Sequence, residues 1–121
     1  MGTRSAIIVK VSDKLYKGIY CHWDGYPDGV GKTLKENFNS EEQALAIIAL
    51  GDCSKICNCV RVNPIGEHSY KTPEEGTIVA YHRDRGEEFN QYKGSTWKEV
   101  ADQIDNEFAY VWEKDSWVCK D

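Results

Sequence analysis

Residues 5–23, SAIIVKVSDKLYKGIYCHW, decide the fold class of this chain. Two runs rich in β-branched and aromatic residues, 5–11 and 15–23, flank the polar triplet 12–14, and this arrangement predicts a β-hairpin. In the second run the side chains alternate between two faces, because residues two apart share a face of a strand. One face is apolar, and the other carries a phenol, an imidazole and a carboxylate, from Tyr20, His22 and Asp24.

Three helices are predicted further along the chain. The first is short and covers residues 30–38, where apolar side chains recur at helical spacing. The second begins with the capping pair Ser40 and Gln43 and ends at Gly51. The third is capped by Thr96, and its apolar positions continue in steps of three and four residues: Trp97, Val100, Ala101, Ile104 and Phe108.

One more strand, over 76–84, and a second hairpin, over 109–120, complete the predicted elements. Residues 52–76 are interpreted as a long loop and 86–94 as a surface turn. We therefore expect a single α+β domain over residues 1–121, in the order β-β-α-α-β-α-β-β. Its sheet is expected to be largely antiparallel, with the helices packed on one face.

The composition is that of a globular domain and excludes some classes of function. The chain has 121 residues, of which 40% are hydrophobic and 29% charged, and its net charge is −5. That charge weighs against a duplex DNA or RNA binder, which needs clustered Lys and Arg to replace counterions. No apolar run has the length of a membrane span, and the first residues are too soon polar for a secretion signal. We expect a cytoplasmic protein with no membrane partner.

Residues 25–33, GYPDGVGKT, resemble a phosphate-binding P-loop but fail its spacing. The glycine that the motif requires ahead of Gly31 falls on Tyr26. The helix that follows is short, and no apolar strand ending in Asp is present to hold a hydrated Mg²⁺, so we reject nucleotide hydrolysis. A weaker interpretation remains, in which Gly29, Gly31 and Lys32 donate hydrogen bonds to an anion. The alternative is a plain strand-to-helix connector.

The pattern His-x-Asp occurs twice, each time at the end of a predicted strand. If the two strands are neighbours, two imidazoles and two carboxylates converge, with the arginines of the second copy beside them. Such a cluster suits a divalent metal, general acid–base chemistry, or a polar pocket that recognises a ribose, phosphate or peptide without chemistry. Alternatively, the aspartates only end the strands and the histidines are surface residues. The residues concerned are His22, Asp24, His82, Arg83, Asp84 and Arg85.

Five cysteines are an odd number, and we interpret them as thiols. Cys53, Cys57 and Cys59 form C-x3-C-x-C, which is not a usual zinc spacing, although His68 is available as a fourth ligand. Loop thiols without metal are the favoured interpretation. We therefore expect neither a metal nor another cofactor.

Four motifs carry a resemblance to a known group of proteins. They are TRSAI (3–7), IYCHWDGYPDGVGKTL (19–34), the helix ending LGD (50–52) and VAYHRDRGEE (79–88). The chain resembles small phage and prophage proteins of unknown function over roughly residues 3–90. The resemblance implies a phage accessory gene, and small phage proteins of this size often counter bacterial defence. It implies no catalytic residue, because the group has no established activity.

Three functions are compatible with these patterns. The first is a binding module for a small anionic, nucleotide-like ligand or immune signal, with a pocket formed by Tyr20, His22, Asp24, Gly29, Gly31, Lys32, His82, Arg83, Asp84 and Arg85. The second is a protein-binding inhibitor of a host defence protein, which uses an acidic, aromatic surface at 84–92 and the terminal hairpin. The third is a small metal-dependent hydrolase or nuclease that uses both His-x-Asp pairs. A homo-oligomer is possible, and binding without catalysis is the favoured class.

Overall fold

The computed structural model describes residues 3–22, 25–55, 79–80, 90–104, 106–113 and 116–120. The predicted N-terminal hairpin is confirmed: β1 (Ser5–Ser12) and β2 (Leu15–Cys21) pair antiparallel. All residues from 5 to 9 are buried. A strand that is apolar at consecutive positions is covered on both faces.

The described residues form seven strands in one sheet. After the hairpin come β3 (Cys53–Lys55), β4 (Val79–Ala80), β5 (Tyr92–Gly94), β6 (Phe108–Glu113) and β7 (Ser116–Lys120). The strand order is β4-β3-β2-β1-β6-β7, and β5 also pairs with β2. The pairs β1–β6 and β2–β3 are parallel, and the others are antiparallel. The α+β class with a largely antiparallel sheet is therefore confirmed.

Helices α2 and α3 begin where the sequence predicts their caps, Ser40 and Thr96. A π-helical turn (Pro27–Gly31) leads into α1 (Lys32–Asn37), and α2 (Glu41–Ile48) and α3 (Trp97–Ala101) follow. The hydroxyl of Ser40 accepts a hydrogen bond from the backbone N–H of Gln43 at 3.1 Å. Thr96 does the same for Glu99 at 3.2 Å. Gly51 follows α2 with a φ of 77°, a left-handed conformation that glycine adopts readily.

The helices occupy both faces of the sheet, so the expectation that they pack on one face is wrong. On the first face, α1 and α2 contribute Leu34 and Ile47 to a core cluster with Ile7. On the second face, α3 contributes Val100 to a separate cluster with Ile8. Neighbouring residues of β1 point to opposite faces, and both faces are apolar there, so each needs its own cover.

Three elements differ from their predicted bounds. Strand β3 lies inside the predicted loop 52–76, and β5 lies inside the predicted turn 86–94. Helix α3 ends at Ala101 rather than continuing to Phe108, which begins β6. The amide of Asn106 donates to the carbonyl oxygens of Ala101 and Ile104, at 3.0 and 2.8 Å, and so satisfies the carbonyl groups at the helix end.

Candidate functional site

The backbone N–H groups of the glycine-rich segment are already hydrogen-bonded within their own turn. Gly29 donates to the carbonyl oxygen of Tyr26 at 2.9 Å, and Gly31 donates to the same oxygen at 3.5 Å. The N–H of Lys32 points to the carbonyl oxygens of Gly29 and Pro27. The interpretation of these three amides as anion donors is therefore corrected, because each one has an internal acceptor.

The glycines serve close packing against β6 instead. A Cβ on Gly31 would lie 3.0 Å from the ring of Tyr110. The phenol of Tyr110 donates to the carbonyl oxygen of Gly25 at 2.6 Å, and the Gly25 N–H donates to Thr3 at 2.8 Å. The segment is thus a tightly packed connector. The side chain of Lys32 extends into solvent, with its Nζ 4.0 Å from Glu36.

The two His-x-Asp strands are not neighbours in the sheet. Cys21 of β2 pairs with Cys53 of β3, which pairs in turn with Ala80 of β4. Strand β3 therefore separates the other two, and β2 and β4 run in opposite directions. Convergence of the two pairs was expected only if these strands are neighbours, and in the sheet β3 lies between them. The remaining expected residues, Asp24, His82, Arg83, Asp84 and Arg85, lie outside the described part of the chain.

Tyr20 and His22 share one face of β2, as their spacing predicts. The Tyr20 hydroxyl and His22 Nδ1 are 2.5 Å apart, and both residues are half-buried. Ile19 and Cys21, on the opposite face, are fully buried. The hydrogen bond orients the imidazole ring through its Nδ1 atom.

Asp52 fills a gap along the outer edge of β2. Strand β5 pairs with residues 16–18 of that edge and β3 with Cys21, so the N–H of Tyr20 lies between the two. This N–H donates to one carboxylate oxygen of Asp52 at 2.9 Å, and the Tyr92 hydroxyl donates to the other at 3.2 Å. Burial raises the pKa of Asp52, although both hydrogen bonds act in the opposite direction. Burial, with the neighbouring carboxylate, also raises the pKa of Tyr92.

An open groove lies on the α3 face of the sheet, on the side of β6 and β7. In one row across that face, Tyr20 pairs with Ala6, Ala6 with Ala109, and Ala109 with Lys120. Helix α3 packs on β1 and β2, which leaves the β6–β7 side less covered. The groove measures about 660 Å³ and is lined by Trp97, Lys98, Ala101, Asp102, Ile104, Asn106, Glu107, Ala109 and Lys120.

The groove combines an aromatic wall with charges of both signs. The ammonium of Lys120 lies 5.7 Å from the centre of the Trp97 ring and 2.9 Å from the carboxylate of Glu113. Glu107 already accepts a hydrogen bond from the Arg4 N–H at 3.2 Å. Ala109, which pairs with Lys120 between β6 and β7, also lines the groove, and its small side chain leaves room beside the indole. Such a site can hold a planar ring together with an anionic group.

In the described ranges, the cysteines and the other metal-binding side chains form no metal site. No three His, Cys, Asp or Glu residues there are placed to hold one metal ion. Cys53 is a buried strand residue opposite Cys21, not the loop thiol that its sequence context suggests. Cys57, Cys59 and His68 lie outside the described residues.

The sequence patterns did not predict the groove, because its walls come from distant parts of the chain. In the sequence, Trp97 fits a core position of a helix, and Lys120 fits a charged residue at the end of a strand. The only signal is indirect: consecutive apolar residues at 6–9 and 109–112 indicate that both faces of the sheet are covered. Because β1 pairs in parallel with β6, strand β7 lies beside the part of the sheet that α3 covers.

Comparison with models of known protein families, with curated proteins and with solved structures found no match. In the described ranges, none of the helices is long and apolar enough to cross a membrane.

Proposed function

We propose that this chain is a phage accessory protein that binds a small anionic, nucleotide-like ligand without converting it, and that the groove beside α3 holds the ligand. One observation carries the proposal: an open groove of about 660 Å³ with an indole wall and two lysines, Lys98 and Lys120. Small-ligand sites typically occupy about 300–1,000 Å³. A mononucleotide or a cyclic dinucleotide is therefore of suitable size.

The side chains that line the groove favour binding over catalysis. Among the residues that line the groove, none supplies the hydroxyl or thiol of a Ser–His or Cys–His pair; they contribute carboxylate, ammonium, amide and apolar groups. A protein of this type acts in stoichiometric amounts by sequestering its ligand. Sequestration of an immune signal is the counter-defence role that the phage-like motifs suggest.

Thermal denaturation with a panel of ligands tests the proposal. We expect at least one mononucleotide, cyclic dinucleotide or cyclic ADP-ribose variant to raise the Tm, and mass spectrometry to recover that ligand intact. Lys98→Glu is expected to reduce the shift. Lys32→Glu, a matched charge reversal at an exposed lysine of α1, is expected to retain it. A panel in which no compound changes the Tm would contradict the proposal.

A second candidate is a protein-binding inhibitor, and the position of β7 favours it. Strand β7 ends the strand order of the described residues, and Val118 on it is 36% exposed. An exposed strand edge can pair with a strand of another protein. We expect an inhibitor of this kind to lose its partner when Val118 is replaced by Lys. A pull-down in which Val118→Lys retains the same partner would contradict it.

A further inference from the structure

We infer that Trp97 and Lys120 are the pair that determines specificity in the groove, and that they select a ligand carrying both a planar aromatic ring and an anionic group. The inference rests on the proposed function and names the ligand class of the same site. The Lys120 ammonium lies 5.7 Å from the centre of the Trp97 ring. It also contacts the Glu113 carboxylate at 2.9 Å.

Both contacts of Lys120 are easily exchanged. Its side chain is 29% exposed and that of Glu113 is 19% exposed, so both charged groups still reach water. The Trp97 ring is half-buried, and at 5.7 Å the cation lies close to the outer limit of about 6 Å for a cation–π contact. Lys120 can therefore turn towards an incoming anion at small cost, and this movement uncovers the ring of Trp97.

The uncovered indole then accepts a planar ring by stacking. Stacking of a nucleobase on an aromatic side chain depends little on the identity of the base, because every base has a π-face. Ala101 and Ala109 line the groove beside the indole and leave space for the ring. The ammonium of Lys120, which lies 5.7 Å from the centre of the indole, can then form a charge-assisted hydrogen bond with a phosphate of the same molecule.

Glu113 competes with the ligand in this arrangement. Its carboxylate holds the ammonium that the anion requires, so removal of its charge is expected to favour binding. We therefore expect a substitution outside the groove lining, at Glu113, to strengthen ligand binding. A purely structural ion pair between Lys120 and Glu113 would have the opposite effect or none.

Isothermal titration calorimetry of the full chain, with AMP as the first probe and a cyclic dinucleotide as the second, tests the pair. We expect Trp97→Ala and Lys120→Met each to weaken binding by about tenfold or more, since each removes one of the two contacts. Trp97→Phe keeps an aromatic face and is expected to stay within about threefold of wild type. Glu113→Gln is expected to tighten binding by about threefold. Lys98→Met, which removes the other groove lysine, serves as the matched control with a smaller loss.

The ligand series separates the two requirements. Adenosine has the ring without the anion, and inorganic phosphate has the anion without the ring, so each is expected to bind at least about tenfold more weakly than AMP. Nucleotide binding that is unaffected in Trp97→Ala and Lys120→Met would overturn the inference and leave the proposed function intact. Equal affinity for AMP and inorganic phosphate would also overturn the inference. Absence of binding by both nucleotide probes to the wild-type chain would overturn the inference, and the wider ligand panel then decides the proposed function.

Discussion

The two faces of the sheet use their aromatic residues differently. On the face covered by α1 and α2, the indole N–H of Trp117 donates to the carbonyl oxygen of Phe38 at 2.7 Å, and the ring is 5% exposed. On the face covered by α3, Trp97 is half-buried beside an open groove, with a lysine over its ring. On the first face the indole is thus buried and its polar atom is bonded internally. The second keeps an aromatic surface accessible, and this difference separates a stabilising face from the face that we propose binds the ligand, called the binding face below.

The largest effect is expected from Leu34 on the stabilising face. Leu34 is fully buried in α1, so Leu34→Ala leaves a cavity and should lower the free energy of unfolding by about 2–5 kcal/mol. Val118 on the binding face is 36% exposed, and Val118→Ala should cost less than about 1 kcal/mol. Urea denaturation followed by circular dichroism measures both. Equal losses for the two variants would break the distinction between the faces.

Tyr110→Phe tests whether the polar atoms of the stabilising face matter as well as its volume. The change removes a hydroxyl that donates to the carbonyl oxygen of Gly25 at 2.6 Å and leaves that buried acceptor without this donor. We expect the free energy of unfolding to fall by about 1–3 kcal/mol. Denaturation midpoints at constant m-value give the difference. An unchanged midpoint would mean that water replaces the hydroxyl without cost.

Thr96→Ala sharpens the comparison on the binding face, because Thr96 caps the short helix that forms one wall of the groove. Loss of its hydrogen bond to the Glu99 N–H should cost about 1 kcal/mol. Thr96→Ser retains the hydroxyl and is expected to stay close to wild type. Chemical denaturation of the three proteins checks the order. A Ser variant as unstable as the Ala variant would contradict the capping role.

The smallest expected effect is the pH dependence contributed by Asp52. Burial raises its pKa in the folded chain above the ordinary 3.8, so folding favours the protonated form. This contribution to stability is complete below 3.8 and is lost as the pH rises through the raised pKa. Asp52→Asn cannot titrate, so the stability of wild type relative to this variant should fall as the pH rises from acid towards neutral. Unfolding measured at several pH values tests the sign, and a relative stability that rises with pH would contradict it.

Local patterns predicted the elements whose causes are local. The turn between β1 and β2, the caps Ser40 and Thr96, and the stop at Gly51 each depend on residues within a few positions, and all four are confirmed. The three-residue strands β3 and β5 are too short to show an alternating pattern.

The candidate site was harder to predict, because it depends on pairing between distant strands. His22 and Tyr20 meet as their spacing predicts, since residues two apart share a face. The separation of β2 from β4 by β3 is not encoded in either His-x-Asp motif. Likewise, the contact of Lys120 with Trp97 requires the parallel pairing of β1 with β6, which no short pattern indicates.

That parallel pairing also affects how the protein is made. Strand β1 lies at the centre of the sheet, yet its two neighbours are formed at very different times during synthesis. The backbone of Arg4 contacts Glu107, 103 positions later, so one edge of β1 finds its partner only after most of the intervening chain has left the ribosome. Long-range pairing of this kind slows folding and leaves an apolar edge open meanwhile. Expression yield is therefore expected to depend on how quickly synthesis reaches β6.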